Sequence, residues 1–258
     1  MMSIGTYLFG NDRLRFGLMA VFGLGFLGLS LPMLADPLLF WTDIVFGGHN
    51  YPSHELHHFV LGIVMGLLIL GLVVQVYRPS QRTAALHTSI AIWGWFTIFF
   101  TIGQGFEPMF IVLLLLLGGV AVFHPAGKDQ FPIAESLARP LGYITLLTAV
   151  AAFAFAGNEL IAHRTLADSH VTLGHYLFMA TGAASVGTLM IRGSFTERDW
   201  RFALYAAAAC MIVFGAASIG YPGAEQGSSI GVIGGLVVII WAIGILVVAE
   251  RFEGFLSR

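Results

Sequence analysis

The chain has 258 residues, 57% of them hydrophobic and 10% charged, with a mean hydropathy of +0.86 and a formal charge of -2. A soluble globular domain carries about 25% charged residues, so composition excludes a water-exposed fold. Without a basic stripe or a phosphate-binding glycine loop, it also argues against a nucleic-acid or nucleotide binder. One cysteine, Cys210, leaves no intrachain disulfide and no thiolate metal site.

Apolar runs recur along the chain, most of them near the 20 residues that cross a hydrocarbon core of about 30 Å. In order they are Phe16 to Ala35, His54 to Tyr77, Leu86 to Ile102, Met109 to Phe123, Leu141 to Gly157, His170 to Ile191, Phe202 to Ile219 and Ile230 to Ala249. The expected fold is all-α: a polytopic membrane protein of eight transmembrane helices in a single membrane domain spanning 1–258. The first run reads as a full-length span rather than a cleavable leader.

Charge orients this arrangement. Eleven of the twelve basic residues, from Arg13 and Arg15 to Arg258, fall on one side of the eight spans, and only Arg164 falls on the other. The positive-inside rule puts the basic side and both termini in the cytoplasm, with the chain integral to the cytoplasmic membrane. The opposite, outer side gathers seven histidines (His49, His54, His57, His58, His163, His170 and His175) and seven carboxylates, including Asp36, Asp43, Glu107 and Asp168.

An internal repeat is expected. Asp168-Ser169-His170 followed by Gly182 aligns with Pro52-Ser53-His54 followed by Gly66 at an offset of 116 residues. Each half, 1–130 and 131–258, then holds four spans in the same orientation, a parallel duplication. Small residues such as Gly71, Gly187, Gly215 and Gly235 suit close helix packing in lipid. Trp41, Trp93, Trp95, Trp200 and Tyr221 read as an interfacial aromatic belt.

The chemistry concentrates at Pro52-Ser53-His54-Glu55-Leu56-His57-His58. On a helix, His54, His57 and His58 are spaced i, i+3 and i+4 and share one face. Imidazole is the commonest metal ligand and a usual axial ligand of haem. His58 and His175, at the starts of matching helices, are the expected primary ligands of haem b or of a transition metal such as copper or zinc. His54, His57 and His170 would assist, while Glu55 and Glu159 orient ligands or move protons. His170 and His175 stand five residues apart, about 140° round a helix, so both serve one site only if His170 precedes the regular helix. His87 and His124, toward the cytoplasm, are either a second cofactor grip, part of a proton path, or solvated helix ends. A single lysine, Lys128, excludes a retinal Schiff base in a late helix.

Eight spans in two four-helix halves, with Glu55-Leu56-His57-His58 heading the second span and His175 near the sixth, resemble haem A synthase. That resemblance implies a haem-binding architecture with Glu55 to His58 and His175 at the ligand positions. The family's histidines in the fourth and eighth spans have no counterpart in Met109 to Phe123 or Ile230 to Ala249. Pro52-Ser53-His54 also resembles the helix start that carries metal ligands in the third subunit of copper membrane monooxygenases. The leading reading is therefore a membrane redox protein. A copper- or zinc-site subunit of a membrane monooxygenase-like complex, a metal or small-solute transporter and a non-catalytic subunit of a larger complex stand as alternatives. The expected partners are the lipid bilayer and either other membrane subunits or further copies of the chain.

Overall fold

In hydrocarbon a backbone amide finds no water, so an apolar run must satisfy its own hydrogen bonds, and the helix does this within one segment. The computed structural model describes residues 12–46, 54–77, 79–130, 139–194, 199–223, 225 and 227–256. Among them are nine α-helices and no strand: α1 (Asp12–Phe46), α2 (Glu55–Val74), α3 (Thr83–Gln104), α4 (Pro108–Val122), α5 (Arg139–Thr165), α6 (Ser169–Thr172), α7 (His175–Ser194), α8 (Trp200–Gly220) and α9 (Gly231–Leu256). Six of them, α1, α2, α3, α5, α8 and α9, are long and apolar enough to cross a membrane. The apolar α4 is shorter, at 15 residues. Large apolar side chains point outward, Ile233 at 79% exposure and Leu115 at 68%, which suits a surface bathed in lipid and not one bathed in water.

Helix ends follow local chemistry. The Glu107 carboxylate caps α4 by accepting the Met109 N–H at 3.3 Å, and Pro108 follows at the first helical position, where its missing N–H costs nothing. Asp168 caps α6 in the same way, accepting the Val171 N–H at 3.1 Å. Gly105, at φ 106°, ends α3 in a conformation that side chains disfavour.

Two helices occupy the middle of the bundle. α2 packs against α1, α3, α7 and α8, and α7 packs against α2, α3, α5 and α8. Between them and α3 runs an aromatic core: Trp93 meets Phe96 at 4.9 Å, Phe96 meets Phe100 at 4.3 Å, and Phe100 meets Phe178 at 4.9 Å between ring centroids. Trp93 therefore belongs to the core and not to an interfacial belt. It is 1% exposed, and its indole N–H donates to the Phe110 carbonyl at 3.2 Å. The expected close packing of glycines is clearest where α8 meets α9. A Cβ on Gly215 would stand 2.7 Å from the Gly235 carbonyl oxygen, so only glycine lets the two backbones approach this far.

Candidate metal centre

His54 is the N-cap of α2 and His57 lies in its first turn, so the helical spacing seen in the sequence aims both at the same side. His170 sits on the one-turn α6, and His175 opens α7. Between them Leu173 and Gly174 break the helix, Gly174 at φ 70°. That break answers the 140° problem: His170 precedes the regular helix and swings back toward His175.

The result is a cluster of four buried imidazoles. His57 is 1% exposed, His170 and His175 5%, and His54 9%. One ring nitrogen from each lies within 4.8 Å of the other three. Ring centroids are 4.6 Å apart for His54 and His170, 4.7 Å for His54 and His175, and 4.8 Å for His57 and His175. The Nδ1 atoms of His54, His57 and His175 are buried and have no hydrogen-bond partner. A buried polar atom left unmatched costs about 1–3 kcal/mol, and these three belong to rings of one cluster.

No protein-family model, curated protein or solved structure matches this chain.

The surroundings of the cluster set the tautomer of His57. Ser228 Oγ donates to Glu159 Oε2 at 2.6 Å and lies 3.1 Å from His57 Nε2. While Glu159 is ionised the one serine proton goes to it, and His57 Nε2–H is then the donor to Ser228. Nδ1 then carries the lone pair, buried and without a hydrogen-bond partner. Glu159 is 2% exposed and acts on the cluster through Ser228. Asp168 flanks the other edge, its Oδ2 3.7 Å from His170 Nδ1 and accepting the Tyr176 hydroxyl at 2.9 Å. Burial pushes the Asp168 carboxyl up, but hydrogen bonds from Tyr176 and the Val171 N–H outweigh it and hold the group below its usual range. Burial and then the nearby His170 push His54 down, with Asp168 only partly opposing them.

The other expected residues are placed differently. His58 is half-buried and outside the foursome, its ring 5.4 Å from that of His175. Glu55 is likewise absent from the group. It acts instead on Tyr221, whose phenol is pushed up by burial first and by Glu55 second. His163 is buried on α5, one turn beyond Glu159, with Leu177 and His163 both packed at Gly103. Glu107 is exposed and serves as a helix cap. His49, Pro52 and Ser53 lie outside the described residues, and so do the side chains of Asp36 and Asp43.

At the opposite end, His87 and His124 are not solvated helix ends. His124 is 0% exposed and its Nδ1 accepts the Ala126 N–H at 3.2 Å, while Arg15 donates to its carbonyl at 2.6 Å. Burial, then the Arg15 charge, push His124 down to about 4. His87 Nδ1 accepts from Arg192 Nε at 2.8 Å.

Ser228 and Tyr176 are the functional neighbours that sequence reasoning missed. Ser228 lies in the short Tyr221 to Ser229 connection, 171 residues from His57, and nothing local marks it. Tyr176 follows His175 directly, and its helix register opposite Asp168 was the only available signal.

Proposed function

We propose that the chain is a multi-pass membrane protein holding one transition-metal ion on His54, His57, His170 and His175, and using it for redox chemistry. The observation that carries this is the convergence of four buried imidazoles within 4.8 Å, three of them with unmatched Nδ1 atoms. Four nitrogen ligands without a thiolate suit copper or zinc, and among divalent ions copper binds such sites most strongly. Glu159 and Asp168 supply the carboxylates that orient ligating histidines in metal sites, Glu159 through Ser228. A single ion is favoured over haem, because rings 4.6 to 4.9 Å apart leave no slot for a macrocycle between them.

The resident site is favoured over a transport path by what lies one turn deeper. Val60 and Met179 follow His57 and His175 there, in an apolar lining that offers a hydrated ion no ligands. The proposed topology is eight spans in two parallel halves, with both termini in the cytoplasm and the histidines near the outer face. The packing supports the repeat: α2 contacts α8 as its counterpart α7 contacts α3. The charge separation supports the sidedness.

Purification in detergent without chelator, loading with copper(II), metal analysis and electron paramagnetic resonance test the reading. Stoichiometric copper with nitrogen superhyperfine splitting is expected, and its loss in His57→Ala and His175→Ala. Well-folded wild-type protein that takes up no copper overturns it, since zinc has no redox chemistry.

A further inference from the structure

An apolar cavity of about 390 Å³ lies among α2, α5, α7, α8 and α9. A void of about 150 Å³ already takes up benzene, and small-molecule sites start near 300 Å³. Its position ties it to the histidines. Val60, three residues after His57, and Met179, four after His175, line its upper end, about 5 Å deeper along the helices. On α5, Phe155 in the wall stands one turn before Glu159. The opposite rim opens outward, through Leu147 at 59% and Trp241 at 40% exposure. Those residues are at the middle of α5 and α9, at hydrocarbon depth.

The lining also says what cannot bind. Its hydrogen-bonding pair, Thr148 and Trp241, is already satisfied: the Trp241 indole donates to Thr148 Oγ1 at 2.9 Å, and Thr148 donates to the Ile144 carbonyl at 2.8 Å. No charged side chain contributes. A head group, a sugar or an ion would lose its hydration there without compensation, whereas a hydrocarbon loses nothing on moving from the bilayer.

We propose that this cavity is the substrate chamber of the histidine centre, admitting a small apolar molecule dissolved in the bilayer through the gap between α5 and α9. Its upper end then presents that molecule to the metal. The assignment rests on the metal-site reading for its second half only. Binding of the hydrocarbon needs no metal.

The test uses the full chain in lipid nanodiscs, with 1-bromodecane as a contact quencher of tryptophan fluorescence. A saturable component that disappears in Trp241→Phe and in the cavity-filling Ala152→Phe is expected, and Ala183→Leu, which fills from the α7 side, should act likewise. Quenching that rises linearly and equally in wild type and both filled variants overturns the chamber. So does quenching by chain-brominated phospholipid that decane fails to displace, since the occupant is then a lipid tail. The copper(II)-loaded protein is then given perdeuterated decane. Deuterium modulation in the electron spin echo, lost in Ala152→Phe with copper content unchanged, is expected. Saturable quenching without modulation, in protein carrying copper, overturns the link to the metal. Saturable quenching in protein that binds no copper fails the metal reading alone.

Discussion

Ser228 donates a 2.6 Å hydrogen bond to Glu159 and so leaves its oxygen to accept from His57 Nε2 at 3.1 Å. One hydroxyl thereby links a buried carboxylate to a ring of the histidine cluster. Outer partners of this kind are worth about 10–100-fold in metal affinity. Ser228→Ala and Glu159→Gln are therefore expected to weaken copper binding by about that factor, measured by competition with a chromophoric chelator. Equal affinity in both variants and wild type removes the relay from the site.

The cluster separates His57 from its neighbour His58. His57→Ala and His175→Ala should abolish stoichiometric metal uptake, while His58→Ala should keep it. Metal analysis on the three variants decides the ligand set. Loss in His58→Ala with retention in His57→Ala would restore the pairing of His58 with His175 expected from the sequence.

Gly174 holds the hinge that brings His170 and His175 together. Its φ of 70° costs a residue with a Cβ about 1–2 kcal/mol. The added carbon would also stand 2.9 Å from Gln104 Nε2 and 3.1 Å from the Phe100 ring. Gly174→Ala should lower the thermal midpoint in detergent and weaken metal binding together. Gly157→Ala, on α5 with nothing within 4 Å of its added carbon, is the control and should do neither.

His124 makes stability depend on pH. Its value falls from 6.5 to about 4 in the folded protein through burial and the Arg15 charge, with His87 beside it. As pH drops below 6.5 the unfolded chain takes up this proton first. The contribution is thus complete above 6.5 and is lost as pH falls toward 4. Thermal midpoints of wild type should decline over that interval. The slope should flatten in His124→Asn, whose side-chain oxygen can still accept the Ala126 N–H. Parallel slopes would assign the acid sensitivity elsewhere.

The helices were legible in the sequence, because an apolar run in hydrocarbon has no other way to satisfy its backbone. Seven of the eight runs each fall on one helix, the run His170 to Ile191 is split between α6 and α7, and the spacing of His54 and His57 already aimed both at one side. What no local pattern could supply was convergence. His170 joins the site only because Gly174 breaks the chain, and Ser228 reaches His57 from 171 residues away. His58 is adjacent to His57 in sequence but turned about 100° from it on the helix, which is enough to leave it outside the four. Trp93 looked interfacial by residue type, yet three aromatic neighbours and the Phe110 carbonyl bury it. Sequence determined which segments must be helical and where titratable groups are concentrated, since both follow from local hydration energies. Tertiary structure decided which of those groups face one another and left the cavity beneath them, since both depend on how five helices pack at once.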